Sequence, residues 1–179
     1  MPKVIVGKPV PDFTLPASGG GTVTLSRLKG RNVVLYFYPR DDTPGCTLEG
    51  QDFRDHHAQF KRANAVILGV SRDSVASHDR FCGKFGFPFE LLSDADEKLC
   101  KLFGVIKEKN MYGRKVLGIE RSTFLIDTRG VMRTEWRKVS VKGHAEEVLA
   151  AAKALENAKP ARARKPATRK KKMQRGKRR

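Results

Sequence analysis

Hydrophobic residues fall along this chain in two patterns, continuous runs and runs that alternate with charged positions. Continuous apolar runs rich in β-branched and aromatic residues predict strands that are covered on both faces. They lie at residues 33–38, 65–71, 88–93, 122–127 and 131–136. Segments that mix apolar and charged residues without internal breakers predict helices. These occupy residues 46–64, 74–85, 95–103 and 143–158.

The alternation of strands and helices favours an α/β fold in which helices cover a sheet. Ahead of this core, residues 13–15 and 22–25 flank an Ala-Ser-Gly-Gly-Gly turn and predict a small N-terminal β-hairpin. Ser74 is placed to cap the helix that starts there. Residues 106–118 mix charges with Gly and Tyr, and we expect them to form a loop or an edge strand.

Charge divides the chain into two parts. The 179 residues carry 37 Lys and Arg against 19 Asp and Glu, a net charge of +18. Twelve of the basic residues and none of the acidic ones lie in residues 159–179, so the body holds 25 against 19 and is only +6. We therefore predict one domain, residues 1–158, followed by a disordered Lys/Arg-rich tail at 159–179.

Three cysteines, Cys46, Cys82 and Cys100, are too few and too widely spaced for a secreted disulfide framework. No apolar stretch of signal-peptide length opens the chain, and no window approaches the roughly 20 apolar residues that cross a bilayer. These features predict a cytoplasmic protein that does not bind membranes. We expect no cofactor and no metal, because the four histidines lack ligand spacing and suit solvated or capping roles.

Cys46 is the strongest candidate for chemistry, because it lies where a buried strand gives way to a helix. In the first turn of a helix, unpaired N–H groups and the positive end of the macrodipole favour a thiolate over a thiol. Thr43 supplies a hydroxyl on the same turn that can bond the sulfur or an incoming oxygen. Pro39 and Pro44 stiffen the loop. The alternative is a buried structural cysteine.

The spacing Pro39-x-x-x-Thr43-x-x-Cys46 after an apolar strand resembles the active-site signature of peroxiredoxins. GCTLEG, FPFELLSDAD and GIERSTFLID resemble the peroxiredoxin Q branch, also called bacterioferritin comigratory protein, across residues 5–155. This implies a thioredoxin-like fold with a central mixed β-sheet. It also implies a peroxidatic Cys46, a peroxide-binding Thr43, a shielding Pro39 and an active-site arginine at Arg121, which can stabilise negative charge.

Glu49 lies three residues after Cys46, on the same face of the predicted helix. It either orients Arg121 through a charge-assisted hydrogen bond or is an ordinary exposed carboxylate.

A second thiol completes the reaction that the resemblance implies. Members of this branch often carry it five residues after the first, where this chain has Gln51. Cys82, on the predicted helix 74–85, matches the position used by another subgroup. We expect Cys46 to reduce hydroperoxides through a sulfenic acid, Cys82 to condense with it, and thioredoxin or a similar dithiol to reduce the disulfide. Cys100 lies in an apolar stripe and is assigned to the core.

The sequence is also compatible with other functions. The basic tail is suited to non-specific nucleic-acid binding, which makes a nucleic-acid-associated protein the alternative function. A solvated tail without a partner, an anionic membrane surface and acidic proteins are further interpretations of the same charge. A thiol-disulfide oxidoreductase is disfavoured because Cys46 has no Cys-x-x-Cys partner. The family resemblance further predicts a monomer.

Overall fold

The computed structural model describes residues 3–158 of the chain. Within that range the chain forms nine strands, five α-helices and one short 3-10 turn at Leu25–Leu28. In chain order they are β1 Thr14–Pro16, β2 Thr22–Thr24, β3 Asn32–Phe37, α1 Pro44–Asp55, α2 His57–Arg62, β4 Ala65–Ser71, α3 Val75–Phe85, β5 Glu90–Ser93, α4 Lys98–Leu102, β6 Ile106–Met111, β7 Arg114–Ile119, β8 Ser122–Ile126, β9 Met132–Trp136 and α5 His144–Asn157.

Five strands make a mixed central sheet in the order β5-β4-β3-β8-β9. β3, β4 and β5 run parallel to one another. β8 pairs antiparallel with β3, and β9 pairs antiparallel with β8. All six residues of β3 are buried, because this strand lies in the middle of the sheet and both of its faces are covered. The predicted α/β fold with a sheet flanked by helices is confirmed.

Alternate side chains of β3 enter two separate hydrophobic clusters. Val33, Leu35 and Phe37 pack with the N-terminal hairpin and α4 on one face. Val34 and Tyr36 pack with α1, α2, α3 and α5 on the other. The sheet is therefore covered on both sides, and the two clusters together form the core.

The predicted N-terminal hairpin is formed by β1 and β2, which pair antiparallel with Leu15 opposite Val23. Its turn docks on the sheet edge, where Ser18 donates its backbone N–H to the Leu91 carbonyl at 2.9 Å. Ser18 also accepts the Leu91 N–H on its hydroxyl at 2.9 Å. This hairpin covers part of β5, the edge strand next to β4.

The structure corrects two sequence predictions. The helix expected over 46–64 is two helices, because His56 leaves helical geometry with ψ near 3° and divides α1 from α2. Residues 106–118 are not a loop or an edge strand of the main sheet, since β6 and β7 pair with each other as a separate hairpin. Tyr112 and Gly113 both have positive φ at its tip, which suits a two-residue turn.

Helix α4 is also shorter than the predicted 95–103 segment. Glu97 takes a left-handed backbone conformation just before it, with φ 61°, so the helix starts at Lys98. The Asp94 carboxylate accepts the backbone N–H groups of Leu99 and Cys100 and satisfies the start of this helix.

The tail predicted to be disordered, 159–179, lies outside the described residues. Within residues 3–158, no helix is both long enough and apolar enough to cross a membrane.

Gly69 of β4 tests how tightly the side chains of neighbouring strands pack beside it in the central sheet. A Cβ at this position lies 2.6 Å from Leu91 Cδ2 and 2.9 Å from the Tyr36 ring, and both of these side chains are fully buried. We predict that Gly69→Ala lowers the free energy of unfolding by about 1–3 kcal/mol, because the core must move to admit the methyl group. Urea unfolding followed by circular dichroism measures the change.

Gly83→Ala on α3 is the matched control. No atom lies within 4 Å of the added Cβ, and the helix gains a better helix former, so stability rises by up to about 1 kcal/mol. Equal stability of Gly69→Ala and the wild type contradicts the close packing described here.

Candidate active site

The first turn of α1 holds the candidate nucleophile. Thr43 has an extended backbone before the helix, Pro44 is its first residue and Cys46 its third. A proline in the first turn removes an N–H that has no helical partner, so it fits this position well. The remaining N–H groups of the turn and the helix dipole favour negative charge at the Cys46 sulfur.

A single guanidinium contacts both the thiol and a buried carboxylate. Arg121 donates from Nη2 to the Cys46 sulfur at 3.4 Å and from Nη1 to Glu49 Oε1 at 2.7 Å. The Cys46 and Glu49 side chains are buried, and 15% of the Arg121 side chain is exposed. The three groups, which we call the thiol triad, are therefore nearly enclosed by protein.

Sheet register explains how Arg121 reaches a thiol 75 residues earlier in the chain. Phe37, the last residue of β3, pairs with Ser122, the first residue of β8. The residue before β8 therefore lies beside the loop that leaves β3 toward Cys46. The Arg121 carbonyl accepts the Val139 N–H at 3.0 Å, which holds the backbone at this point.

Gly45 is a residue of the site that sequence reasoning missed. A Cβ at Gly45 lies 3.1 Å from Arg121 Nη2, so any larger residue crowds the guanidinium beside the sulfur. The signal in the sequence is only that a glycine directly precedes the cysteine, and its meaning depends on an arginine distant along the chain.

Burial sets the electrostatics of the triad. It raises the pKa of Glu49 to about 7, although the nearby Arg121 charge lowers it. Burial alone lowers the pKa of Arg121, but Glu49 and Cys46 raise it above its ordinary value, so the guanidinium stays charged. Glu49 Oε2 has no hydrogen-bond partner within the described residues. Of the two predictions for Glu49, the orienting contact with Arg121 is the one that the structure contains.

The structure places Thr43 and Pro39 in the loop between β3 and α1. Both are half-buried. The Thr43 hydroxyl donates to the Arg40 carbonyl at 2.9 Å, and this bond leaves its oxygen lone pairs able to accept. Pro39 follows Tyr38, whose N–H is bonded to the Val70 carbonyl at 3.1 Å. The loop is thus anchored at its start and turned back on itself at Thr43.

The other two cysteines differ in their surroundings. Cys82 is half-buried on α3, as predicted, and its thiol contacts the Ser18 hydroxyl at 3.6 Å. Burial raises the pKa of this thiol, and the Ser18 contact lowers it. Cys100 is fully buried in the core, as predicted, and burial followed by the Asp94 contact raises its pKa. All three cysteines are free thiols in this state.

The solvated or capping roles predicted for the histidines are wrong for His78 and His144. Both are buried, and each has polar partners: Asp41 and the Leu92 carbonyl for His78, and the Thr123 hydroxyl for His144. Sequence alone does not reveal such partners, because they come from other strands and loops. Across residues 3–158, no group of three or more His, Cys, Asp or Glu is arranged to hold a metal ion.

Comparison with known proteins identifies the family of this chain. The sequence profile of the AhpC/TSA family matches residues 6–135. Peroxiredoxin Bcp of Xanthomonas campestris is 57% identical over 156 residues, which is 86% of this chain and 98% of that protein. A structure of Xanthomonas campestris bacterioferritin comigratory protein, concerned with its alkyl peroxide reduction activity, is 58% identical with a TM-score of 0.77. The matched region covers 80% of this chain and 92% of the chain in that structure.

Two structures of Xanthomonas campestris peroxiredoxin Q each contain one cysteine-to-serine substitution. They are 58% and 59% identical to this chain, with TM-scores of 0.78 and 0.77. The matched regions cover 80% and 79% of this chain and 91% and 90% of the chains in those structures. The two substituted cysteines stand 36 positions apart, which is also the spacing between Cys46 and Cys82.

The fold and these relatives define a thiol-dependent peroxidase with a thioredoxin-like fold. The chain belongs to the AhpC/TSA family. Within that family it is a peroxiredoxin of the peroxiredoxin Q, or Bcp, branch, and the resemblance seen in the sequence is confirmed.

The raised pKa of Glu49 makes a prediction about stability and pH. In the unfolded chain this carboxyl ionises near its ordinary pKa of 4.5, whereas in the folded protein it ionises near 7. Between these values the folded state binds more protons, so stability falls as the pH rises. We predict that Glu49→Gln removes a decline of up to about 3 kcal/mol in the free energy of unfolding between about pH 4 and pH 8.

Urea titrations of the reduced wild type and of Glu49→Gln at a series of pH values measure this decline. Two parallel curves, or a wild type that gains stability relative to Glu49→Gln as the pH rises, contradict the prediction.

Proposed function

We propose that Cys46 is the nucleophile of the peroxidase, that Arg121 and Thr43 bind the peroxide oxygens and that Pro39 shields the sulfur. The observation that carries this proposal is the position of Arg121, with one nitrogen on the Cys46 sulfur and the other on Glu49. A hydroperoxide at the sulfur meets a guanidinium whose direction is already fixed. The positive charge of this guanidinium stabilises the negative charge that develops on the leaving oxygen.

The first step is a two-electron transfer from sulfur to oxygen. The Cys46 thiolate attacks the terminal peroxide oxygen, an S–O bond forms and the O–O bond breaks. The other oxygen leaves with the bonding electron pair and takes up a proton as water or an alcohol. Cys46 becomes a sulfenic acid. Glu49 acts through Arg121, so it is a positioning residue in this step.

We propose that Cys82 then resolves the sulfenic acid. Its sulfur attacks Cys46, an S–S bond forms, and the sulfenic hydroxyl leaves with the Cys82 proton as water. The spacing of the two cysteines substituted in the Xanthomonas campestris structures supports this assignment. Thioredoxin or a similar dithiol reduces the disulfide and is itself oxidised, which closes the cycle.

The proposed substrates are hydrogen peroxide and organic hydroperoxides. The alkyl peroxide reduction activity named for the Xanthomonas campestris structure supports the organic class.

We further propose that residues 1–158 form the catalytic domain and that the protein works as a cytoplasmic monomer. The basic segment 159–179 lies outside the described residues, and the matched relatives give no support to the nucleic-acid alternative.

Cysteine variants test the cycle in an assay of peroxide consumption coupled to thioredoxin and thioredoxin reductase. Cys46→Ser loses peroxidase activity because it lacks the nucleophile. Cys82→Ser reduces about one equivalent of peroxide per chain and then stops turning over with thioredoxin. Cys100→Ala, which changes a buried thiol outside the site, keeps the wild-type rate.

Mass spectrometry of the oxidised wild type shows a Cys46–Cys82 disulfide if the proposal is correct. Unchanged turnover in Cys82→Ser excludes Cys82 as the resolving residue, and peroxidase activity in Cys46→Ser excludes Cys46 as the nucleophile.

Arg121→Lys tests the double contact of the guanidinium. A lysine ammonium does not hold the sulfur and Glu49 in one rigid geometry, so the rate of Cys46 oxidation falls by about 100-fold to 1,000-fold. Stopped-flow oxidation under single turnover measures this step. Arg133→Lys is the control, because Arg133 pairs with Asp127 and is half-exposed. Oxidation of Arg121→Lys at the wild-type rate removes Arg121 from the mechanism.

A further inference from the structure

A buried polar cluster joins the loop before Cys46 to the helix that carries Cys82. Asp41, in that loop, accepts hydrogen bonds from two residues of α3. Its Oδ2 lies 2.8 Å from the Ser77 hydroxyl and 2.7 Å from His78 Nδ1. Its Oδ1 accepts the Tyr38 hydroxyl at 2.5 Å. Hydrogen bonds thus join the loop before Cys46 directly to α3.

The hydrogen bonds of His78 fix its protons. Nε2 lies 2.9 Å from the Leu92 carbonyl oxygen, and because a carbonyl only accepts, Nε2 must donate. The contact between Nδ1 and Asp41 Oδ2 therefore holds a second proton. The His78 side chain is fully buried and the Asp41 side chain is 4% exposed. Together they form a buried hydrogen-bonded pair rather than a surface ion pair.

Asp41 is also held from the side of β4. Its backbone N–H donates to Asp73 Oδ2 at 2.9 Å, and that oxygen accepts the Ser71 hydroxyl at 2.6 Å. Asp41 therefore has a fixed position on the sheet, and the contact with His78 ties α3 to this fixed point.

Cys82 lies four residues after His78, one helical turn further along α3. In the reduced protein its sulfur contacts Ser18, whereas the Cys46 sulfur contacts Arg121. A disulfide needs the two sulfurs about 2 Å apart. In the proposed cycle, the turn containing Cys82 leaves its contact with Ser18 before the bond forms.

We propose that the Asp41–His78 pair is a latch that holds α3 in place and sets the rate at which Cys82 reaches the Cys46 sulfenic acid. The proposal rests on the proposed function, in which Cys82 is the resolving residue. Asp41 and His78 are positioning residues here, because they act through α3 and not on the peroxide.

The latch has a consequence for inactivation. While it is closed, the sulfenic acid is exposed to a second hydroperoxide, whose terminal oxygen adds to the sulfur as its O–O bond breaks. This yields a sulfinic acid and one more water or alcohol, and it removes Cys46 from the cycle. A tighter latch therefore makes the enzyme more sensitive to excess peroxide.

A second loop-to-helix pair provides a matched control. Lys84 of α3 bonds Asp42 at 2.9 Å, but these side chains are 59% and 48% exposed. Exposed pairs contribute little, whereas removing one partner of a buried pair leaves a charge or a polar group without compensation. The two neighbouring pairs differ chiefly in burial.

The test compares His78→Gln, Asp41→Asn and Lys84→Ala with the wild type. Rapid oxidation by one equivalent of peroxide followed by acid quench and mass spectrometry gives separate rates for sulfenic acid and disulfide formation. In His78→Gln, disulfide formation accelerates about tenfold, while Cys46 oxidation stays within about twofold of the wild type. Sulfinic acid formed per turnover falls. Asp41→Asn also accelerates the second step, and Lys84→Ala changes neither step.

Hydrogen exchange of the reduced enzyme measures how firmly the latch holds α3, without any reaction at the cysteines. Amides of residues 75–85 exchange faster in His78→Gln and Asp41→Asn, while those of α5 and β4 stay as in the wild type. Unchanged exchange in α3, or unchanged disulfide formation, overturns the latch. An equal slowing of both chemical steps indicates a structural role alone and also overturns it.

The Cys82→Ser variant separates the two proposals. If wild type and Cys82→Ser recycle equally, the assignment of Cys82 fails, and hydrogen exchange still decides whether the pair holds α3. If Cys82→Ser loses the disulfide but His78→Gln forms it at the wild-type rate, the function holds and the latch fails.

Discussion

The contact of Arg121 with both Cys46 and Glu49 is the constraint on which the site depends. A guanidinium and a carboxylate that are buried together stabilise each other, whereas either one left alone in this place is strongly unfavourable. The sulfur adds a third charge-bearing group to the same enclosed space. Because each group needs the other two, α1 and the start of β8 must meet in one geometry.

The central sheet provides that geometry. β3 and β4 are parallel, so their carboxyl ends lie at the same edge, and the helices that follow them both begin there. β8 is antiparallel to β3, so its first residue reaches this edge as well. Cys46, Arg121 and the start of α3 therefore converge at one end of the sheet, although they are far apart in the chain.

The two cysteines of the proposed cycle have different packing, and the difference suits their different tasks. Cys46 is buried and bonded within a rigid turn, which a nucleophile aligned with a charged partner requires. Cys82 is half-buried on a helix that is held at its ends by polar contacts, such as the bond from Arg54 to the Phe85 carbonyl. α3 also buries Phe81 in the hydrophobic core, so movement of the turn containing Cys82 breaks apolar as well as polar contacts.

The sequence by itself determined the strands of the central sheet, the α/β class, the position of Cys46 at a strand-to-helix turn and, through the resemblance, the role expected of Arg121. These features depend on local patterns, namely apolar runs, a strand-to-helix turn and short motifs. Tertiary structure alone decided that 106–118 pairs with itself, that Gly45 makes room for a guanidinium, and that His78 is buried against Asp41. Each of these depends on which segments the sheet order brings together, and no pattern of neighbouring residues encodes a contact made across the sheet.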